Sequence, residues 1–428
     1  MSERYNSSEE FLKRAERVIP LGSQTFSKSK IQYPVGISPL FIKKSKGCFS
    51  WDIDNNKYID LVSSLASVTL GYSNRDTDRA VRKQLKLGVT LSLPGKLEAE
   101  VAEMICELVP SAEMVRFGKN GTDATSAAVR LARAFTGRDH VLVCGYHGWQ
   151  DWFIGSTSRN KGVPSDVSNF THTFEYNNLQ SLEYLLENLP PVACVVMEPM
   201  NTTFPSVGFL EGVREITRKH GIILVFDETI TGFRFDSGGA QKLFNVTPDL
   251  STFGKGIANG FPLSVVTGKK EIMMEMENIF ISGTFGGELL SLAVAKVVLE
   301  KHVLNQVTPY LSQIGENINS GIHQALKKSQ GDSFLSLSGH PSWTFLMWKD
   351  SHNYQKDQIR TFFMQEMFKQ GLLVLNSHNV SLAMNNRVIN RIISIYQSTI
   401  QKIEAALLSQ DLDRQLTVKP NEPLFKVR

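Results

Sequence analysis

Two residues in this chain have the type and setting for covalent chemistry: an aspartate that ends an apolar run and a lysine framed by glycines. The run 222–226, Ile-Ile-Leu-Val-Phe, stops at Asp227 and Glu228. Five apolar residues without a polar break predict a strand buried on both faces of a parallel sheet. A carboxylate at the mouth of such a strand is costly unless a cation or hydrogen-bond donor meets it. In open α/β sheets ligands gather at the carboxyl ends of the strands. Further on stands Thr252-Phe253-Gly254-Lys255-Gly256. Burial disfavours the charged form of a lysine and lowers its pKa. The neutral amine is a nucleophile that forms Schiff bases with carbonyls. An acid for a protonated pyridine nitrogen and an amine for an aldehyde are what pyridoxal phosphate asks of a protein. Each feature alone has a plainer explanation, since strand-end aspartates cap helices and Gly-Lys-Gly makes surface turns. Their order and context favour the cofactor site.

A third stretch suits a phosphate. Gly118-Lys119-Asn120-Gly121-Thr122 leads into a helix over 122–136, with Ala124, Ala127, Ala128, Leu131 and Phe135 expected to face inward and Gly137 as the stop. A glycine turn at a helix N-terminus offers free N–H groups and the positive end of the dipole; an ordinary capped helix has the same look. The buried-strand run 141–144 precedes Gly145-Tyr146-His147-Gly148-Trp149, where an aromatic ring could stack on a flat heterocycle. Trp149, Trp152 and Phe153 fit either a core or the lining of a substrate path. Another apolar strand, 191–197, ends at Glu198-Pro199, and a helix over 208–220 returns the chain to the 222–226 run.

Those elements come in an order that constrains the fold. From 112 to 265 buried strands alternate with amphipathic helices, which predicts a mostly parallel sheet with helices on both faces. Before it lie a short helix over 8–17, with Phe11, Leu12, Ala15 and Val18 on one side, and a meander over 39–61 turning at Asp54-Asn55-Asn56. After residue 310 come a helix marked by Leu311, Ile314, Ile318, Ile322 and Leu326, short strands at 344–348 and 372–375, a long helix over 388–408, and a polar tail over 415–428 expected to cross the surface. Gly254, Gly256 and Gly260 lack the spacing and framing of a dinucleotide fingerprint, and no Walker A motif occurs.

The run Asp227-Glu228-Thr229-Ile230-Thr231-Gly232-Phe233-Arg234, then Gly238-Gly239-Ala240-Gln241, Thr247-Pro248-Asp249-Leu250 and Gly254-Lys255, resembles the class III aminotransferases, in the branch similar to glutamate-1-semialdehyde aminomutase. The likeness extends from Val18 to the C-terminus. It implies an α/β protein of fold type I. A large cofactor-binding domain over 66–310 would be joined by a small α+β domain built from both termini, 1–65 and 311–428. It implies pyridoxal 5'-phosphate as cofactor, with Lys255 and Asp227 catalytic. It places Asn120, Gly121 and Thr122 at the phosphate, Tyr146 stacked on the ring, and His147, Glu198 and Thr229 beside the cofactor. In Ile281-Ser282-Gly283-Thr284 the threonine matches one that reaches the phosphate of the neighbouring subunit's cofactor, so a homodimer with shared active sites is expected. Arg234 falls near the site and reads as structural.

The likeness has gaps. Asp123 stands where the family usually has glutamate. Phe285-Gly286-Gly287-Glu288 replaces the aminomutase's Ser-Gly-Asn-Pro, and the segments 117–120 and 146–152 look more like an aminotransferase branch associated with surface-sugar pathways. The expected function is a pyridoxal-phosphate-dependent aminotransferase moving an amino group from a donor to an aldehyde or ketone, a sugar-derived carbonyl among the candidates. The alternatives are glutamate-1-semialdehyde 2,1-aminomutase and, from another class, an inactive binding protein on the same fold. The presence of Asp227, Lys255, Tyr146, Thr122 and Thr284 speaks against the last.

Composition agrees with a small-molecule enzyme. The 428 residues are 42% hydrophobic and 21% charged, with a net charge of +4 and no dense Lys/Arg block, which argues against a nucleic-acid partner. The 4 cysteines, Cys48, Cys106, Cys144 and Cys194, have no metal-like or CxxC spacing, so no metal is expected and a reducing cytoplasm is the default compartment. The first twenty residues lack the apolar core of a signal peptide. No apolar run approaches the roughly 20 residues of a membrane helix, so no membrane association is expected.

Overall fold

The computed structural model describes residues 3–421. The chain forms two compact units: one holds the chain up to Asn74 and again from Tyr310, the other is Arg75–Pro309. Among the described residues no helix is long and apolar enough to cross a membrane.

The first unit opens with the helix Asn6–Glu16 and an antiparallel meander, β1 (Ile42–Lys46), β2 (Phe49–Asp52) and β3 (Lys57–Asp60). Leu12 and Ala15 of the helix are buried, whereas Phe11 is half-exposed and Val18, past the helix end, is exposed. The expected one-sided stripe is thus narrower than its spacing suggested. After β3 the backbone makes a left-handed turn of four non-glycine residues, Ser63, Ser64, Leu65 and Ala66, at φ 45, 50, 59 and 68°. Each such residue is strained by its Cβ. Asp60 Oδ1 holds the turn's first N–H groups, those of Val62 and Ser63, at 2.8 and 2.9 Å, and the Ser63 hydroxyl donates to the Asn379 carbonyl at 2.5 Å.

The second unit is organised by one sheet of seven strands: β4 (Met114–Gly118), β5 (His140–Cys144), β6 (Thr171–Thr173), β7 (Val192–Met197), β8 (Ile223–Asp227), β9 (Leu250–Phe253) and β10 (Ser264–Gly268). Their order is β4-β10-β9-β8-β7-β5-β6. From β9 to β6 all neighbours are parallel, and β10 runs antiparallel to both β9 and β4. The architecture is the expected α/β one. The apolar runs are strands because both faces are covered, and the pleat sends alternate residues to opposite sides. Val141, Val143, Val196, Ile223 and Val225 pack under the helix Gly121–Thr136. Leu142, Val195, Leu224 and Phe226 pack on the other side against Leu182, Phe209, Leu210 and Val213. The helix Gly121–Thr136 ends at Gly137, whose φ of 66° is the left-handed stop. Phe135, expected inward, lies in its last turn and is half-exposed.

The first unit resumes with the antiparallel β11 (Leu335–His340), β12 (Trp343–Trp348) and β14 (Ser377–Asn379), while β13 (Leu372–Leu373) pairs in parallel with β3. The helix Asn386–Leu408 buries Val388, Ile392, Ile395, Thr399 and Ile403 at helical spacing. Of the tail expected over 415–428, residues 422–428 lie outside the described residues.

Candidate active site

Strand parity decides which acids meet. Ile223 and Val225 point to the side covered by the helix Gly121–Thr136, so Asp227, next in that series, leaves β8 on the same side. Cys194 and Val196 put Glu198 there by the same rule, and the Glu198 N–H extends the ladder to the Cys144 carbonyl at 3.1 Å. Both acids therefore emerge under the helix whose first turn holds Gly121 and Thr122.

Asp227 is buried and fully engaged. Its Oδ1 accepts from the Thr229 N–H at 3.1 Å and from the Thr252 hydroxyl at 3.0 Å. Its Oδ2 lies 2.9 Å from His147 Nδ1, and His147 Nε2 lies 3.2 Å from the Cys144 carbonyl. Burial alone would raise the Asp227 pKa, but the bonds and charge from His147 and the Thr229 N–H outweigh it and hold the carboxyl below its usual range. Asp227 is an anion prepared to face a cation.

Lys255 follows β9 directly. Thr252 is the cross-strand partner of Asp227, which brings the lysine loop to the mouth of β8. The Lys255 backbone takes φ 42°, a conformation non-glycine residues adopt at a cost, held here between the β9 end and a 3-10 turn over Lys255–Ala258. The residue keeps some exposed surface, while burial around its amine lowers its pKa; Asp227 and Glu198 pull the value up and Arg234 adds to the lowering. Arg234 is itself buried, with a pKa pushed down to about 10 by burial.

Thr229 lies between the two glycine turns. A Cβ on Gly121 would come within 3.2 Å of its methyl carbon, and one on Gly254 within 3.3 Å. The phosphate-type turn and the lysine loop thus close on one small side chain.

The first turn of the helix Gly121–Thr136 fits an anion. Asp123 Oδ2 accepts the N–H groups of Lys119 and Asn120 at 3.0 and 2.7 Å, so the shorter acid found at this position shapes the turn. The Thr122 hydroxyl is buried and has no hydrogen-bond partner among the described residues. Gly148, at φ +108°, keeps space over it, since a Cβ there would come within 2.5 Å of Thr122 Oγ1. An orphaned hydroxyl at a helix N-terminus is satisfied by a phosphate oxygen.

Tyr146 and Glu198 complete the cluster. Glu198 Oε2 accepts the Tyr146 N–H at 3.1 Å and the Asn201 amide at 2.6 Å. Burial raises the Glu198 pKa, and the charge of Asp227 adds to this. Tyr146 is 47% exposed, and its ring stands edge-on to Phe153. Trp152 and Phe153 belong to the core, and Trp149 is exposed. Sequence reasoning missed Thr252 and Asn201, whose parts depend on strand order and on a loop return.

Thr284 is exposed and lines a cavity of ≈ 780 Å³ together with Phe117, Gly118, Lys119, Asp123 and Phe285. Neither Lys255 nor Asp227 lines that cavity.

Comparison with known proteins agrees with this geometry. Residues 32–404 match the family described as Aminotransferase class-III. A glutamate-1-semialdehyde 2,1-aminomutase from Syntrophomonas wolfei subsp. wolfei is 37% identical over 355 residues, covering 78% of this chain and 81% of that protein. The structure of the FumI protein of Sphingopyxis sp. MTA144 superposes with a TM-score of 0.87 at 25% identity, over 96% of this chain and 98% of that one. An omega-transaminase from Sphaerobacter thermophilus shares the fold with a TM-score of 0.85 at 24% identity, over 94% of this chain and 100% of that one. The chain belongs to the class III aminotransferases, pyridoxal-phosphate-dependent enzymes of fold type I.

Proposed function

We propose that this enzyme moves an amino group from a small-molecule donor to a separate aldehyde or ketone acceptor, with Lys255 and Asp227 as its catalytic residues. The observation that carries the proposal is the buried Lys255, Asp227, His147 and Glu198 cluster at the carboxyl ends of β8 and β7, beside a helix N-terminus with an orphaned hydroxyl. Pyridoxal 5'-phosphate, when bound, supplies an aldehyde to take up the amino group and a protonated ring to accept an electron pair.

The chain's own residues do the rest. Lys255 would anchor the aldehyde, and its amine, whose pKa burial lowers, is the base that takes the proton from the substrate carbon and returns it. Asp227, anionic through its donors, holds the proton on the ring nitrogen. His147 fixes the direction of that carboxylate. Asn120, Gly121 and Thr122 hold the phosphate, and Thr229 sits where the two turns close. Tyr146 gives the ring a face to lie on, and Glu198 positions the Tyr146 backbone. Thr284 matches the family position that reaches the phosphate of a neighbouring subunit's cofactor, and on that reading the working form is a homodimer with shared sites. The cysteines are unpaired, which suits a reducing cytoplasm.

The 37% identity to an aminomutase favours a second reading, transfer within one substrate molecule. The Phe285-Gly286-Gly287-Glu288 run departs from the aminomutase pattern and supports the first. Incubation with glutamate 1-semialdehyde and no amino donor separates them: turnover establishes the aminomutase, and its absence together with turnover on a donor and acceptor panel that includes keto sugars supports the transaminase.

A further inference from the structure

The loop that carries Thr284 packs closely at three consecutive residues, against Phe117 of β4, against Glu98 of the helix Lys96–Leu108, and against Lys119 in the turn that carries Thr122. At Gly286 a Cβ would come within 3.1 Å of the Phe117 carbonyl oxygen, and at Gly287 one would come within 2.5 Å of the Glu98 carboxylate. Neither glycine has an unusual φ; a Cβ at Gly286 would crowd a backbone oxygen, and one at Gly287 would displace the flexible end of Glu98. Glu288 follows. Its carboxylate accepts the N–H groups of Leu290 and Ser291 at 2.6 and 3.2 Å, capping the helix Leu289–Val303, and its Oε2 also takes Lys119 Nζ at 3.1 Å.

Capping does not explain the choice of glutamate, because asparagine caps a helix at least as well. Glu288 Oε2 also accepts the Ser291 hydroxyl at 2.6 Å, a bond within the cap, and what the longer charged side chain adds across to another segment is the reach to Lys119. The two side chains are only 19% and 13% exposed, so solvent weakens this pair less than a surface ion pair. Lys119 immediately precedes Asn120-Gly121-Thr122, and its own N–H is held by Asp123. Lys119 therefore stands at the joint between the two segments.

We propose that Lys119 and Glu288 are positioning residues for the cofactor phosphate. Their ion pair latches the Thr284 loop to the Gly121–Thr122 turn and fixes the spacing between the two sets of phosphate ligands. The inference rests on the reading above, in which those residues hold phosphate. In a homodimer one latch then braces its own site through Thr122 and the neighbouring site through Thr284.

The test uses wild type, E288N, K119M and the double variant. Each is stripped of cofactor and titrated with pyridoxal 5'-phosphate by absorbance, with the melting temperature of the apoprotein and the ³¹P resonance of the bound phosphate recorded. E288N keeps a capping side chain and loses the pair, so its apoprotein should melt with wild type while its dissociation constant rises roughly tenfold. K119M should match it, and the double variant should be no worse than either single, because both remove one interaction. The ³¹P resonance should move in all three. Wild-type affinity and an unmoved resonance in E288N overturn the latch. So does a loss that follows the apoprotein melting temperature in E288N and is absent in K119M, since that marks a cap alone. Wild-type protein that takes up no cofactor overturns the functional reading first and the latch with it.

Discussion

His147 Nδ1 lies 2.9 Å from Asp227 Oδ2, and this contact joins the end of β8 to the loop after β5. It places the imidazole on one Asp227 oxygen while Thr229 and Thr252 donate to the other. Replacing His147 with alanine removes one hydrogen bond to a charged acceptor. The expected loss in kcat is about 10- to 100-fold, from ~1.5–3 kcal/mol. Asp227→Asn, which removes the charge itself, should lose on the order of 10²–10³-fold or more. Steady-state kinetics that rank His147→Ala as the more damaging change would contradict the assigned order.

Lys255→Ala should leave the protein folded and able to bind pyridoxal phosphate. Turnover should fall on the order of 10⁴-fold or more, since anchor and base are lost together. Absorbance checks binding and single-turnover assays check chemistry. Persistent turnover in this variant rules the assignment out.

Thr122→Val separates function from stability. The hydroxyl is buried and unpartnered among the described residues, so removing it should stabilise the apoprotein by about 1 kcal/mol. The same change should weaken cofactor binding roughly tenfold, for loss of one hydrogen bond to an anion. Opposite movements of apoprotein melting temperature and cofactor affinity are the signature to look for.

Ser64→Gly probes the left-handed turn. Ser64 sits at φ 50° with a partly exposed side chain, so glycine relieves strain and loses little burial. A gain of about 1 kcal/mol in a denaturant titration is expected. A loss would mean that the hydroxyl matters more than the backbone.

Acid stability should depend on Asp249. Burial alone would raise its pKa, but Lys269 and Arg214, both at 2.8 Å, and the Leu224 N–H lower it from 3.8. A depressed carboxyl contributes its full stability above the unfolded value and loses it as pH falls through the folded one. Asp249 should therefore support the fold at neutral pH and give way only below pH 3.8. Asp249→Ala strands the buried Arg214 and should cost ~3–5 kcal/mol at neutral pH, with a flatter acid limb in the melting profile.

Much of this was readable from the chain before any coordinates. The apolar run into Asp227 and the glycine-framed Lys255 announced a strand-end site, because buried parallel strands have few other compositions. The Gly121–Thr136 helix was legible from its spacing and its glycine stop. What stayed hidden depended on strand order. Thr252 touches Asp227 because β9 lies beside β8 in a particular register, and nothing local to Thr252 says so. Lys119 and Glu288 meet across 169 positions, and each alone reads as a surface charge. The antiparallel direction of β10 was likewise beyond a pattern that marks burial and not polarity. Phe135 fits the periodic stripe but falls in the last turn, where the sheet no longer covers the helix face.

The parallel pairing of β3 with β13, Ile59 beside Leu372 and Asp60 beside Leu373, has a consequence for synthesis. A chain leaving the ribosome presents β3 with one edge bare while the whole of the second unit is still to be made. The seven-stranded sheet can fold during translation, whereas the amino-terminal meander must wait for almost the last segment. A nascent chain stalled before Leu372 would thus carry a finished seven-stranded sheet together with an open strand edge.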